Sequence, residues 1–229
     1  MRGAYGISSP DRKTVLRMLV LSKEEVGFDP GPFLRSQQAV GLSPELLARM
    51  SATWTLLQLT FESHEPMVYD AVRFMLSIAQ RLAELTEGVV SDPITESYRL
   101  PEDVFADRPV DPRIDVRDVV RVWVKPAAEK LVNAYTLGLQ KFGLPELELN
   151  DLSPENAGVA ERFLYRVAQG VLLGELVDVG DRLGSESCLL QVVPGGLDRA
   201  RWEGIPCLEL IPPTRSTVDD ALVAWLAEG

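Results

Sequence analysis

The spacing of apolar positions changes several times along this chain. Thr14 to Leu21 (TVLRMLVL) is a dense apolar run with β-branched residues, which predicts a buried strand. Trp54 to Phe61 (WTLLQLTF) predicts a second. Between them, Ser43-Pro44-Glu45 has the chemistry of a helix start: a capping hydroxyl, proline at the first helical position and an acid in the first turn. From Val68 the period lengthens. Val68, Val72, Met75, Ala79 and Leu82 form a stripe that Ala71, Ile78 and Leu85 widen, with Asp70, Arg73, Ser77, Arg81 and Glu84 on the other side. That is an amphipathic helix lying on a core. Ser63-His64-Glu65-Pro66 open it, and Gly88 is placed to end it.

The second half has more strands. Val116 to Lys125 (VRDVVRVWVK) alternates around Trp123, Leu131 to Leu139 is another extended run, and Leu144 to Leu149 (LPELEL) alternates apolar with acidic residues. Ser153-Pro154-Glu155 begins a helix whose apolar face is Ala160, Phe163, Leu164, Val167, Val171 and Leu172. Two further strands, Cys188 to Val193 and Ile205 to Ile211, flank a turn containing Pro194-Gly195-Gly196. Ser216 and Asp219 resemble a capping box for a last helix with Ala221, Leu222 and Trp225 inward. Strands and helices do not alternate strictly, which predicts an α+β fold: a mixed, largely antiparallel sheet with helices packed on one face. Residues 1–13 read as a flexible N-terminal arm and residues 14–90 as an α/β half. The proline-rich acidic stretch 91–115 reads as a linker or long loop, and residues 116–229 as an α+β half.

Charge narrows the list of partners. The net charge is −11, and both halves hold more acid than base. Counterion release from a phosphate backbone needs clustered Lys and Arg, so neither nucleic acid nor a membrane surface is an expected partner. No apolar run reaches the length of a membrane helix, and residues 1–13 lack the apolar core of a signal peptide. With two cysteines in 229 residues, these features predict a cytoplasmic protein with reduced thiols.

Candidate chemistry is sparse. His64 is the one histidine, so any nucleophile activated by a histidine base must use it, with Glu62 or Asp70 as its acid. The ordinary alternative is a solvated residue at a helix start. Cys188 and Cys207 lie on strands expected to be neighbours, but they form no C-x-x-C, and one histidine cannot complete a structural zinc site. Buried thiols are the simpler reading. Glu146 and Glu148 share a strand face and could divide acid and base roles or bind a hard cation; a solvated face is the bland alternative. Asp178 and Asp181 make a second acidic pair. Neither a phosphate-binding glycine loop nor a G-x-S-x-G nucleophile turn occurs. No cofactor or metal is expected.

The most distinctive segment is Thr136 to Leu149 (TLGLQKFGLPELEL), a strand end, a turn at Phe142-Gly143 and a strand led by proline. The phrase GLQKFGLPELEL, preceded by Tyr135-Thr136, resembles a motif of bacterial domains of unknown function, in which a histidine often stands where this chain has Tyr135. The resemblance runs from about Trp123 to the following helix and implies no activity. It directs attention to Trp123, Tyr135, Phe142, Gly143 and Glu146 as a ligand or partner surface. The function expected is a non-catalytic binding or interaction domain, with self-association or a protein partner. The alternative is a carboxylate-dependent hydrolase using Glu146, Glu148 or His64.

Overall fold

The structure, a computed structural model, describes residues 3–27, 29–35, 39, 41–64, 69–105, 115–184, 189–196, 198–213 and 216–228. The chain forms two compact units, Met1–Val110 and Asp111–Gly229, and the fold class is α+β.

In the first unit β1 (Gly3–Ser8), β2 (Thr14–Ser22) and β3 (Thr55–Ser63) make an antiparallel sheet in that order. The expected flexible arm over residues 1–13 is therefore corrected. Every residue of β1 pairs with β2, from Gly3 opposite Val20 to Ser8 opposite Val15. The glycines and small residues of GAYGIS read as a loop, but β2 supplies a complete template for them. Two short helices, α1 (Pro30–Leu34) and α2 (Pro44–Ala52), lie between β2 and β3. Ser43 caps α2, its hydroxyl accepting from the Leu46 N–H at 3.2 Å. Leu46 and Met50 bury against Leu100, with Phe33, Leu42, Val89 and Tyr98 around them.

The long helix α3 (Tyr69–Thr86) buries Val72, Leu76 and Ala83, while Met75, Ala79 and Leu82 are only half-buried and Leu85 is exposed. Its core-facing line is thus turned slightly from the expected stripe. Glu65, Pro66 and Val68, and the side chains of Asp70 and Ala71, lie outside the described residues. Glu87, at φ 51°, takes the left-handed position that ends α3, and the Gly88 N–H returns to the Ala83 carbonyl at 2.8 Å. Gly88 is therefore one residue beyond the place where glycine is usual.

The stretch 91–115 is not a linker in its first part. β4 (Val90–Asp92) and β5 (Ser97–Arg99) form a hairpin, Pro101 opens a 3-10 turn at Pro101–Asp103, and Leu100 enters the core. Its prolines lie in a turn and at the start of a helical turn, where proline is tolerated. Residues 106–114 lie outside the described residues.

In the second unit, Val116–Val119 forms a short helix, α4, where a continuous strand was expected. Asp115 caps it, accepting from the Arg117 N–H at 2.9 Å. Then come β6 (Arg121–Pro126), β7 (Val132–Leu137), β8 (Glu146–Leu152), α5 (Ala157–Leu172), β9 (Arg182–Gly184), β10 (Leu189–Pro194), α6 (Arg199–Trp202), β11 (Cys207–Ile211) and α7 (Val218–Glu228). The sheet order is β6-β7-β8-β11-β10-β9, antiparallel except where β11 joins β8 in parallel. Strand alternation sends Ala134, Leu147, Leu149, Leu190, Val192, Leu208 and Leu210 to one face, where all are buried. Helices α5 and α7 cover that face and meet through an edge-on contact of Phe163 with Trp225. The other face carries Trp123, Tyr135, Glu146, Glu148, Cys207 and Glu209.

The capping box of α7 sits one residue later than expected. Thr217 and Asp220 exchange hydrogen bonds, Thr217 N–H to Asp220 Oδ2 at 2.9 Å and Asp220 N–H to Thr217 Oγ1 at 3.1 Å. The backbone N–H and hydroxyl of Thr217 hold the Asp220 carboxyl below its usual range. This contribution is present above the unfolded carboxylate range, near about pH 4. It is lost as pH falls through the folded value. Asp219 is thereby freed for another task. Its carboxylate accepts from the Ser153 N–H, from Ser153 Oγ at 2.7 Å and from Asn156 Nδ2 at 2.8 Å. Ser153 is bound to α7 and makes no side-chain cap for the turn that leads into α5. Asp219→Ala should cost about 1–3 kcal/mol in urea unfolding, because it strands partly buried donors. Asp219→Asn should cost less.

Candidate functional site

The site lies on the sheet face opposite α5 and α7. Its centre is a pair of carboxylates two residues apart on β8, Glu146 and Glu148, with relative exposures of 0% and 2%. A solvated face, the bland expectation for this pair, is thus overturned. The reason is coverage by the preceding turn and by two segments farther along the chain. The turn after β7 wraps Glu146, while the Pro194–Gly196 turn and α6 close over Glu148.

Glu146 accepts three hydrogen bonds. Oε2 takes the Thr136 hydroxyl at 2.7 Å, and Oε1 takes the N–H groups of Gly138 at 2.7 Å and Gln140 at 3.1 Å. The Thr136 hydroxyl in turn accepts the Leu147 N–H at 2.8 Å. This replaces a ladder acceptor just where regular β7–β8 pairing stops. Gly138 reaches its donating position with φ 129°, a left-handed angle that suits glycine. A 3-10 turn over Leu139–Phe142 follows, and Gly143 ends it at φ 70°.

Glu148 is held from the other side. Oε1 accepts the Gly196 N–H at 2.7 Å and Oε2 accepts the Trp202 indole N–H at 2.8 Å. Gly195 allows the approach: a Cβ there would lie 2.8 Å from both Glu148 Oε1 and the Glu209 nitrogen. No side chain fits against that backbone. Charge-assisted bonds of this kind are what permit a carboxylate to leave water.

Aromatic and cationic groups complete the face. Tyr135, opposite Glu148 on β7, meets Trp202 edge-on at 5.6 Å between centroids. Arg201 lies 4.1 Å from the Tyr135 centroid and pairs with Asp198 at 3.3 Å. Lys125 lies 5.4 Å from the Trp123 ring and 5.7 Å from that of Tyr135. Cys207, opposite Glu146 on β11, is a free, half-buried thiol. Burial raises its pKa far above the usual thiol range, and the negative charges of Glu148, Glu146 and Glu209 push it further. It is a poor nucleophile, because the thiolate is the reactive form.

Of the five residues singled out from sequence, Trp123, Tyr135 and Glu146 share this face, but Tyr135 is 1% and Phe142 3% exposed. They are interior packing, so a ligand surface made from these side chains is not present as such. Trp123 is half-buried and Gly143 is exposed at its turn. His64 is exposed at the end of β3, in the other unit from the carboxylates. Asp181 accepts the Asp178 N–H in an exposed turn, and Cys188 lies outside the described residues. Among the described residues, no group of three or more His, Cys, Asp or Glu is arranged to hold a metal ion. None of their helices is long and apolar enough to cross a membrane. The donors to the two glutamates, Thr136, Gly138, Gln140, Gly196 and Trp202, were not among the expected site residues. Thr136, Gly138 and Gln140 lie in the distinctive Thr136–Leu149 segment, and Gly195-Gly196 marked the second turn.

In the first unit an open groove of about 590 Å3 is lined by Ser22, Lys23, Glu24, Gly27, Asp29 and Trp54. Trp54 is 80% exposed, and Asp29 is engaged in capping α1 through the Gly31 N–H.

No protein-family model, no curated protein and no solved structure matches this chain.

Trp202→Phe keeps the ring and removes one donor to Glu148. It should destabilise the protein by about 1–3 kcal/mol in urea unfolding. Thr136→Val should do the same for Glu146. Cys207 should resist iodoacetamide in the folded protein even near about pH 8.5, where a free thiol is half ionised. It should be alkylated promptly in denaturant, as peptide mapping by mass spectrometry would show.

Proposed function

We propose that this protein is a non-catalytic binding and interaction domain, in which Glu146 and Glu148 serve the architecture. The observation that carries this reading is that every oxygen of the two buried carboxylates already accepts an N–H or O–H of the protein itself. A general acid or base must reach a substrate proton within hydrogen-bond distance. A hydrolase built on two carboxylates needs both of them facing a cleft. Here both are enclosed by backbone and side-chain donors of their own unit. The third candidate, His64, has no carboxylate of this pair in its unit. The resemblance of the Tyr135 to Leu149 segment to bacterial domains of unknown function implies no activity.

The partner is a protein, or a second copy of this chain. Net charge −11 speaks against nucleic acid. Exposed apolar side chains such as Trp54 at 80% and Ile7 at 65% are the material of protein contacts. With two cysteines in the chain and Cys207 a free thiol, we place the protein in the cytoplasm.

The test is a hydrolysis panel of chromogenic esters, phosphates and glycosides, with Glu146→Gln and Glu148→Gln in parallel. The expected result is no turnover above buffer for any of the three proteins, and a lower melting temperature for both variants. Turnover by the parent chain that disappears in a variant still folded by circular dichroism would establish the hydrolase instead.

A further inference from the structure

Strand β1 is an edge of the three-stranded sheet. One side of it pairs with β2 along all six residues. On the other side no strand adjoins it among the described residues. Natural edge strands usually carry a charge, a proline or a bulge that blocks further pairing. GAYGIS carries no charge and no proline, and its register with β2 runs without interruption.

The same edge leaves apolar surface open. Register places Tyr5 and Ile7 on one face with Leu16, Met18 and Val20 of β2 and Leu57, Leu59 and Phe61 of β3. Helix α3 packs at the β3 side of this sheet. Leu16 is 7% exposed, whereas Tyr5 and Ile7 are 47% and 65% exposed. The apolar face thus extends past its cover, and it does so at the strand whose backbone is unpaired.

We propose that β1 pairs antiparallel with β1 of a second copy, joining the two sheets into one of six strands. This names the partner for the interaction role proposed above and rests on that reading. The edge chemistry fits a second copy. β1 itself is uncharged, so the repulsion between two chains of net charge −11 acts at long range and is screened by salt. Two copies of an uncharged strand can meet without opposing like charges. The nearest charge on β2, Arg17, lies on the opposite face and is paired with Glu62 at 3.3 Å. Register is self-complementary as well. With Gly6 on the two-fold axis, Tyr5 sits opposite the partner's Ile7, an aromatic–β-branched pair of the kind that stabilises sheets. Ala4 then meets the partner's Ser8 on the other face. One strand pair buries less than the roughly 1,200–2,000 Å2 of a standard stable interface, so the dimer is weak and concentration-dependent.

Sedimentation velocity of the full chain across a wide concentration range tests this. The mass should rise from 25.3 kDa towards twice that value. Ile7→Lys should hold the protein at monomer mass throughout, and Leu176→Lys, at an exposed leucine of the second unit, should dimerise like the parent. Gly6→Cys supplies a second readout. Across a two-fold axis the two thiols fall within disulfide range, so mild oxidation should give a covalent dimer linked through position 6, located by peptide mapping. A parent chain that stays monomeric, a dimer that survives Ile7→Lys, or no link at position 6 in a folded Gly6→Cys protein would each overturn the proposal. Hydrolytic turnover would refute the binding role without changing these masses, so the two failures are distinguishable.

Discussion

A carboxylate removed from water must be given donors, and this constraint organises the second unit. Glu146 and Glu148 are enclosed because two turns, one just before β8 and one 48 residues beyond Glu148, present N–H groups to them. The dependence runs both ways. The turn after β7 and the Pro194–Gly196 turn have backbone donors to satisfy, and the glutamates satisfy them. The Trp202 indole does the same from α6 and brings a large ring down onto Tyr135. Two side chains thus fasten three irregular segments to a regular sheet. A pair of leucines at these positions would bury as well but would leave those donors unmet.

Some of this was legible in the sequence. The apolar runs marked β2, β3, β7 and the long helices, because periodicity reports burial of regular elements directly. Ser43-Pro44-Glu45 marked the start of α2 because capping is local chemistry. That Glu146 and Glu148 share a face also followed from strand geometry alone. Their burial did not. In a chain with many acids, two glutamates on a strand look like a wet face; the donors to Glu148 lie 48 and 54 residues away, and those to Glu146 are a hydroxyl and backbone N–H groups of a turn that no side-chain pattern marks. Tyr135 and Phe142 mislead in the same way, since an aromatic side chain is equally suited to a core and to a contact surface.

Other differences have equally local causes. GAYGIS reads as a loop because glycine and serine punctuate it, yet β2 holds it as a strand. The prolines of the 91–105 region read as breakers, but Pro101 stands at a helical N-terminus and the hairpin before it packs into a core. Ser216 and Asp219 imitate the capping pair that Thr217 and Asp220 form one residue later. Sequence spacing cannot separate those two frames. What separates them is that Asp219 has Ser153 and Asn156 to hold.

The place of β11 bears on how the second unit is made. It is the last strand in sequence, yet it lies inside the sheet, parallel to β8 on one side and antiparallel to β10 on the other. During synthesis β8 and β10 therefore wait, each with an open edge, until residues 207–211 have left the ribosome. Such late closure of a non-local, partly parallel sheet is slow and exposes sticky edges to neighbouring chains. For this unit the hazard belongs to birth, before the central strand arrives.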